Sequence, residues 1–143
     1  MTVSNVVVSD ASNVAHLELS RSGKPKLANI LAVRDALRER GFDTMVIADL
    51  SLWHKVDDAD RFDNLVEKQE IRQVPAGTDA VFFILETADE LNAQVVSNDQ
   101  YKPFRERYPW IRVRRVPVMV IEGIAEIYEP GLEEPEAAGK GRG

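Results

Sequence analysis

Asn5–Asn13 reads NVVVSDASN: three consecutive valines run through Ser9 into Asp10, and the chain then turns through Ala11, Ser12 and Asn13. A short apolar run without alternation is what a strand buried on both faces requires, because each successive side chain must meet an apolar layer. An acid at the end of such a strand is held at the rim of the sheet, within reach of solvent. The design recurs late in the chain. Ala93–Tyr101 reads AQVVSNDQY and places Asp99 just beyond Val95, Val96 and Ser97. Two buried strands that each lead into an acid predict one site assembled from distant segments.

The punctuation between these strands sets the fold class. Pro25 suits the first turn of a helix, and Leu27, Ile30, Leu31, Val33 and Leu37 follow helical spacing up to a C-terminal cap at Gly41. Thr44–Ala48 reads as a second buried strand ending near Asp49. Asp57, Asp58 or Asp60 then caps a helix carrying Phe62, Leu65 and Val66. Ile71–Val74 is a third strand, and Thr78 is the expected cap of a helix that buries Val81, Ile84, Leu85, Ala88 and Leu91. Gln94–Asn98 is a fourth strand. Pro103 and Pro109 bracket a short helix, and Val116–Ile121 is a fifth strand, with Pro117 arguing for an edge position. Glu122–Gly123 signals a hairpin with a returning strand, Ile124–Tyr128. Ala11–Lys24 reads as polar and irregular.

Strands alternating with helices predict an α/β fold: a three-layer αβα sandwich around a mostly parallel sheet. Ligands of such sheets bind beyond the carboxyl ends of the strands, where the winding reverses. A strand order of 3-2-1-4-5 sets strands one and four side by side and brings Asp10 opposite Asp99; spacing alone does not fix that order.

A chain of 143 residues is one domain by length, here residues 1–128, followed by an acidic Glu-, Gly- and Pro-rich tail, 129–143, expected to be disordered. There is no cysteine, which excludes disulfides, thiolate zinc sites and a cysteine nucleophile. No basic-then-apolar leader and no run approaching 18 apolar residues is present, so a soluble, cytoplasmic protein with no membrane association is expected. A homodimer is compatible with the sequence. The net charge is −6, yet Lys102–Arg115 holds six basic residues against one acid, Glu106. A basic segment three residues after Asp99 is a candidate phosphate-tracking surface; a solvated helix and strand face explains it equally well.

Asp79 is the third expected member of the site, at the start of a helix that begins at the same rim, where the helix N-terminus favours its ionised form. Ionised carboxylates in close company repel one another unless a cation sits among them. Oxygen ligands select Mg²⁺ or Mn²⁺. Ser12, Asn13, Ser97 and Asn98 are neutral polar neighbours suited to orienting the acids. Each residue also has a plainer role. Asp10 and Asp79 suit helix caps, Ser97–Asp99 suits turn chemistry, and His16 and His54 suit polar loop positions. Trp53, Tyr101, Phe104, Tyr108 and Trp110 suit packing.

Taken together, Val8-Ser9-Asp10-Ala11-Ser12-Asn13-Val14-Ala15 and Val95-Val96-Ser97-Asn98-Asp99-Gln100-Tyr101 resemble the NYN/PIN-like ribonuclease domains, of the Regnase/MCPIP type. The helix ending in Glu39-Arg40-Gly41, the Trp53-His54-Lys55 stretch and Trp110 fit the same pattern, so the resemblance spans about residues 5 to 128. It implies a PIN-like fold and a Mg²⁺- or Mn²⁺-dependent endoribonuclease acting on single-stranded or looped RNA. It also implies Asp10, Asp79 and Asp99 as catalytic, metal-holding acids with Asn13 and Asn98 in support. On this reading Lys102, Arg105 and Arg107 hold the RNA with Lys55, while Tyr101 or Trp53 stacks on a base. Two features depart from the family. The middle motif, Thr78-Asp79-Ala80-Val81, has one acid where paired acids are usual, and Lys102-Pro103 follows where another acid often stands. The zinc finger of the animal relatives is absent.

The thinned acid set motivates an alternative, a non-catalytic RNA- or protein-binding PIN-like module. A phosphoryl-receiving domain ranks below both. Strand one ends in a single acid, strand three leads into Val74-Pro75, and there is no glycine-rich phosphate loop.

Overall fold

The computed structural model describes residues 4–131. Strand β1 (Val6–Asp10) is the centre of a five-stranded parallel sheet with β2 (Asp43–Ala48), β3 (Ile71–Gln73), β4 (Gln94–Val96) and β5 (Arg115–Val116). Their order is 3-2-1-4-5, so β1 and β4 are neighbours, with Val8 opposite Val95 and Ser9 opposite Val96. The period-two alternation of a strand sends successive side chains to opposite faces. Val7 accordingly joins one core cluster and Val8 the other; on β4, Val96 and Val95 divide the same way. Both faces of the sheet are covered, which makes the three layers.

The first face carries α1 (Ala11–Ala15), α2 (Leu27–Glu39) and α4 (Ala59–Glu67), with the short α3 (Leu52–Lys55) ahead of α4. The opening of the segment expected to be irregular is therefore helical: Asp10 Oδ1 accepts from Asn13 N–H, and Ala11, Val14 and Ala15 face the core. Of the candidate caps, Asp58 serves α4 through Arg61 N–H. Asp57 instead accepts from Leu27 N–H at 2.9 Å and caps α2 from another part of the chain.

The second face carries α5 (Ala80–Leu91) and the segment from Tyr101 to Ile111. The cap of α5 is Asp79, not Thr78: Asp79 Oδ1 accepts from Phe82 N–H at 2.9 Å. Pro103 lies in a 3-10 turn, Lys102–Phe104, and helix α6 (Ile111–Arg114) begins beyond Pro109 rather than between the two prolines.

The expected fifth strand is divided. Arg115–Val116 pairs with β4 at the sheet edge, and β6 (Val118–Ile121) belongs to a separate antiparallel pair with β7 (Ile124–Ile127). Pro117 has no N–H to continue the ladder, so the strand breaks there. Glu122 and Gly123 have φ of 50° and 82°, which matches the twist of a two-residue hairpin. The hairpin packs on α2. Gly131 N–H donates to Arg115 O, which ties down the start of the expected tail; residues 132–143 lie outside the described residues. Among the described residues no helix is long and apolar enough to cross a membrane.

Candidate active site

Strands β1 and β2 and the segment after β4 meet at one rim of the sheet around a cavity of about 420 Å³. Its polar lining is Asp10, Ser12, Asn13, His16, Asp49 and Asp99; Ile47, Val81 and Ile84 form the apolar wall. Asp10 shares the face of Val8 by strand alternation, which turns it toward α5 and the Tyr101 segment. The adjacency of β1 and β4 carries Asp99 to the same opening.

Asp10 is 6% exposed, and three donors hold it. Oδ1 takes Asn13 N–H at 3.3 Å, and Oδ2 takes Tyr101 O–H at 2.6 Å and Ser97 O–H at 3.4 Å. Burial raises the pKa of this carboxyl, and the negative charge of Asp99 raises it further, while hydrogen bonds from Tyr101, Asn13 and Ser97 oppose the rise. Asp99 is exposed and is tied to its own turn: Oδ1 accepts Tyr101 N–H at 2.8 Å, and its own N–H donates to Ser97 Oγ at 3.0 Å. His16 Nδ1 lies 2.7 Å from Ser12 O. A carbonyl only accepts, so the proton is on Nδ1 and, in the neutral ring, Nε2 carries the lone pair.

Two of the three expected acids line the cavity. Asp79 does not; it is exposed and caps α5, while the next residue but one, Val81, lines the wall. The third carboxylate in the lining is Asp49, at the end of β2, which accepts Leu52 N–H at 2.9 Å and Ser51 O–H at 3.1 Å. Asp49 repeats the signal that singles out Asp10, an apolar strand running into an acid. Among the described residues, no three His, Asp or Glu side chains stand close enough to enclose a metal ion.

The neutral supports divide by role. Asn13 Oδ1 accepts Asn98 N–H at 2.9 Å, which joins the two acid-bearing turns. The Asn98 side chain is used elsewhere: Nδ2 donates to Val118 O, and Oδ1 accepts Val118 N–H, so it pins β6 rather than orienting an acid.

The expected RNA contacts divide too. Tyr101 is 2% exposed, so its ring is not available to stack on a base; it fills the second core instead. Trp53 is 41% exposed beside His54 on α3, and Lys55 is exposed on the same helix. Lys102 is exposed and shares a surface hollow with Asp99. Arg105 Nε donates to Gln100 O, and Arg107 lies over the rings of Phe82 and Tyr108. Arg114 and Arg115 are buried: the first lies 4.1 Å over the Trp110 ring, and the second donates to Ser97 O. The basic stretch is thus part solvated and part structural.

Two solved structures of Arabidopsis thaliana nuclear protein-only RNase P 2 share this fold. One superposes with a TM-score of 0.68 at 15% identity, covering 90% of this chain and 30% of that one. The other gives 0.67 at 13% identity, covering 87% and 29%. The chain therefore spans under a third of these two solved chains. No curated protein matches it. The family described as Zc3h12a-like Ribonuclease NYN domain matches residues 3–122. A domain with this strand order, with Asp10 and Asp99 carried to one rim, belongs to the Zc3h12a-like NYN ribonuclease family.

Proposed function

We propose that the domain is a divalent-metal-dependent endoribonuclease that hydrolyses phosphodiester bonds in single-stranded or looped RNA. The observation that carries this reading is the pairing of Asp10 and Asp99 at one cavity, where the charge of Asp99 makes ionisation of the buried Asp10 less favourable. A hard cation relieves that repulsion. Mg²⁺ is held in many sites by one or two carboxylates with water and substrate phosphates completing the shell, and two acids fit that need. Asp10 and Asp99 are the residues to hold Mg²⁺ or Mn²⁺, with Asp49 in the same lining as a further anionic group. Such an ion, when bound, activates water and neutralises charge developing on the phosphate.

The chain's own residues supply the rest. Asn13 N–H, Tyr101 O–H and Ser97 O–H fix the Asp10 carboxylate before substrate arrives. Lys102, with Arg105 and Arg107, offers charge to the phosphates beside Asp99. Trp53 offers an exposed ring on which a base can stack, with Lys55 beside it. The test is cleavage of a looped RNA in Mn²⁺. Asp10→Asn abolishes cutting while the fold is retained, and equal rates for mutant and wild type contradict the reading. A second reading, RNA binding without cleavage, draws on the absence, among the described residues, of three acids close enough to enclose a metal ion. Binding with no product across Mg²⁺, Mn²⁺ and Co²⁺ supports it.

A further inference from the structure

Tyr101 touches two of the three acids of the cavity, Asp10 and Asp99. Its hydroxyl donates to Asp10 Oδ2 at 2.6 Å, and its backbone N–H donates to Asp99 Oδ1 at 2.8 Å. Ser97 reaches the same two residues differently: its hydroxyl donates to Asp10 Oδ2 at 3.4 Å and accepts the Asp99 backbone N–H, not a bond to the Asp99 carboxylate, at 3.0 Å. The ring is buried with Val8, Ile84, Tyr108 and Ile111, so the oxygen has little freedom to leave Asp10. The backbone of Tyr101 has φ 53° and ψ 36°, in the left-handed region that a side chain with Cβ rarely adopts. Such conformations persist where the surroundings hold them, and they gather at functional sites. Here the conformation places the amide on one acid and the phenol on the other.

We propose that Tyr101 is a positioning residue that sets the spacing and orientation of the Asp10 and Asp99 carboxylates for a divalent cation. The inference rests on the metal-dependent reading above. It assigns Tyr101 to the support of the acids and not to RNA, and it makes the pair of acids a preformed site. Hydrogen-bond partners behind metal ligands commonly change affinity by about 10–100-fold when removed.

Tyr101→Phe removes only the hydroxyl and keeps the ring and the amide. The measurement is Mn²⁺ affinity of the RNA-free chain by calorimetry, beside cleavage rates at low and saturating Mn²⁺. The expected result is Mn²⁺ binding about 10–100-fold weaker, a slower reaction at low Mn²⁺ that recovers at saturation, and an unchanged KM for RNA. Equal Mn²⁺ affinity in Y101F and wild type overturns the inference and leaves the metal-dependent reading standing. A rate defect that saturating Mn²⁺ does not repair also overturns it. A wild-type chain that binds no Mn²⁺ and cuts no RNA defeats the underlying reading instead. Where Y101F fails to fold, 3-fluorotyrosine in the otherwise unchanged chain gives the same answer. The fluorine resonance of Tyr101, identified by elimination with Y108F and Y128F, shifts on Mg²⁺ titration; a resonance that ignores saturating Mg²⁺ overturns the inference.

Discussion

Asn13 and Asn98 are joined across 85 residues of sequence: the Asn13 Oδ1 accepts the Asn98 backbone N–H at 2.9 Å. The bond welds the turn after Asp10 to the turn before Asp99. Asn13→Ala removes the acceptor and leaves a partly buried N–H without its partner, at a cost of about 1–3 kcal/mol. The melting temperature falls, and cleavage falls by more than the stability loss accounts for, because the Asp99 turn is freed. Thermal melts beside single-turnover rates check this. An N13A chain with an intact rate shows that the weld is only structural.

Asp10 makes the fold less stable when it is ionised. Its pKa is raised by burial and by Asp99. Below the ordinary aspartate pKa both folded and unfolded chains are protonated there, and the contribution is fully present; it is lost as pH rises through the folded value. Asp10→Asn does not pay this loss. In the absence of metal, D10N melts higher than wild type near pH 7, by roughly 3–6 °C if the gain is about 1 kcal/mol. The gap closes below about pH 4. A D10N chain that is less stable than wild type at neutral pH contradicts the electrostatic account.

Glu18 holds the hairpin from outside the sheet. Its carboxylate accepts the N–H groups of Glu122 and Gly123 and pairs with Lys26, and these contacts lower its pKa. Stability from such a group is present above its unfolded pKa and lost as pH falls through the folded value. Hydrogen exchange at Glu122 and Gly123 therefore accelerates relative to neighbouring amides at acid pH. Glu18→Ala shows the same acceleration already at pH 7. Unchanged protection in E18A removes Glu18 from the hairpin's support.

The basic stretch separates by salt titration. Lys102→Ala lowers the slope of log affinity against log salt for single-stranded RNA by about 0.7, as one phosphate contact does. Trp53→Ala weakens RNA binding by about 1–3 kcal/mol if a base stacks there. Arg114→Ala acts on stability instead, because Arg114 is buried over Trp110. Filter binding across salt concentrations and thermal melts distinguish these outcomes.

The strands are legible in sequence where burial is two-sided, since Val6–Val8 and Val95–Val96 admit few other states, but spacing alone does not fix their order. Local chemistry also marks the hairpin at Glu122–Gly123. What spacing does not reveal is contact between distant segments. Asp57 resembles its neighbours Asp58 and Asp60 until Leu27 is placed against it. Tyr101 reads as either a packing residue or a base-stacking ring beside a basic run until its hydroxyl is found on Asp10. Asp49 carries the same strand-end signature as Asp10 and lines the cavity, whereas Asp79, at a helix start, is committed to its own cap. Asp10 and Asp49 also accept local N–H groups, from Asn13 and Leu52, so what separates them from Asp79 is the cavity they line.

The most direct test is anomalous diffraction from crystals of the chain soaked in Mn²⁺. The account predicts a peak between the carboxylates of Asp10 and Asp99. A fully soaked crystal with no peak there, or with Mn²⁺ bound only at other carboxylates, contradicts it.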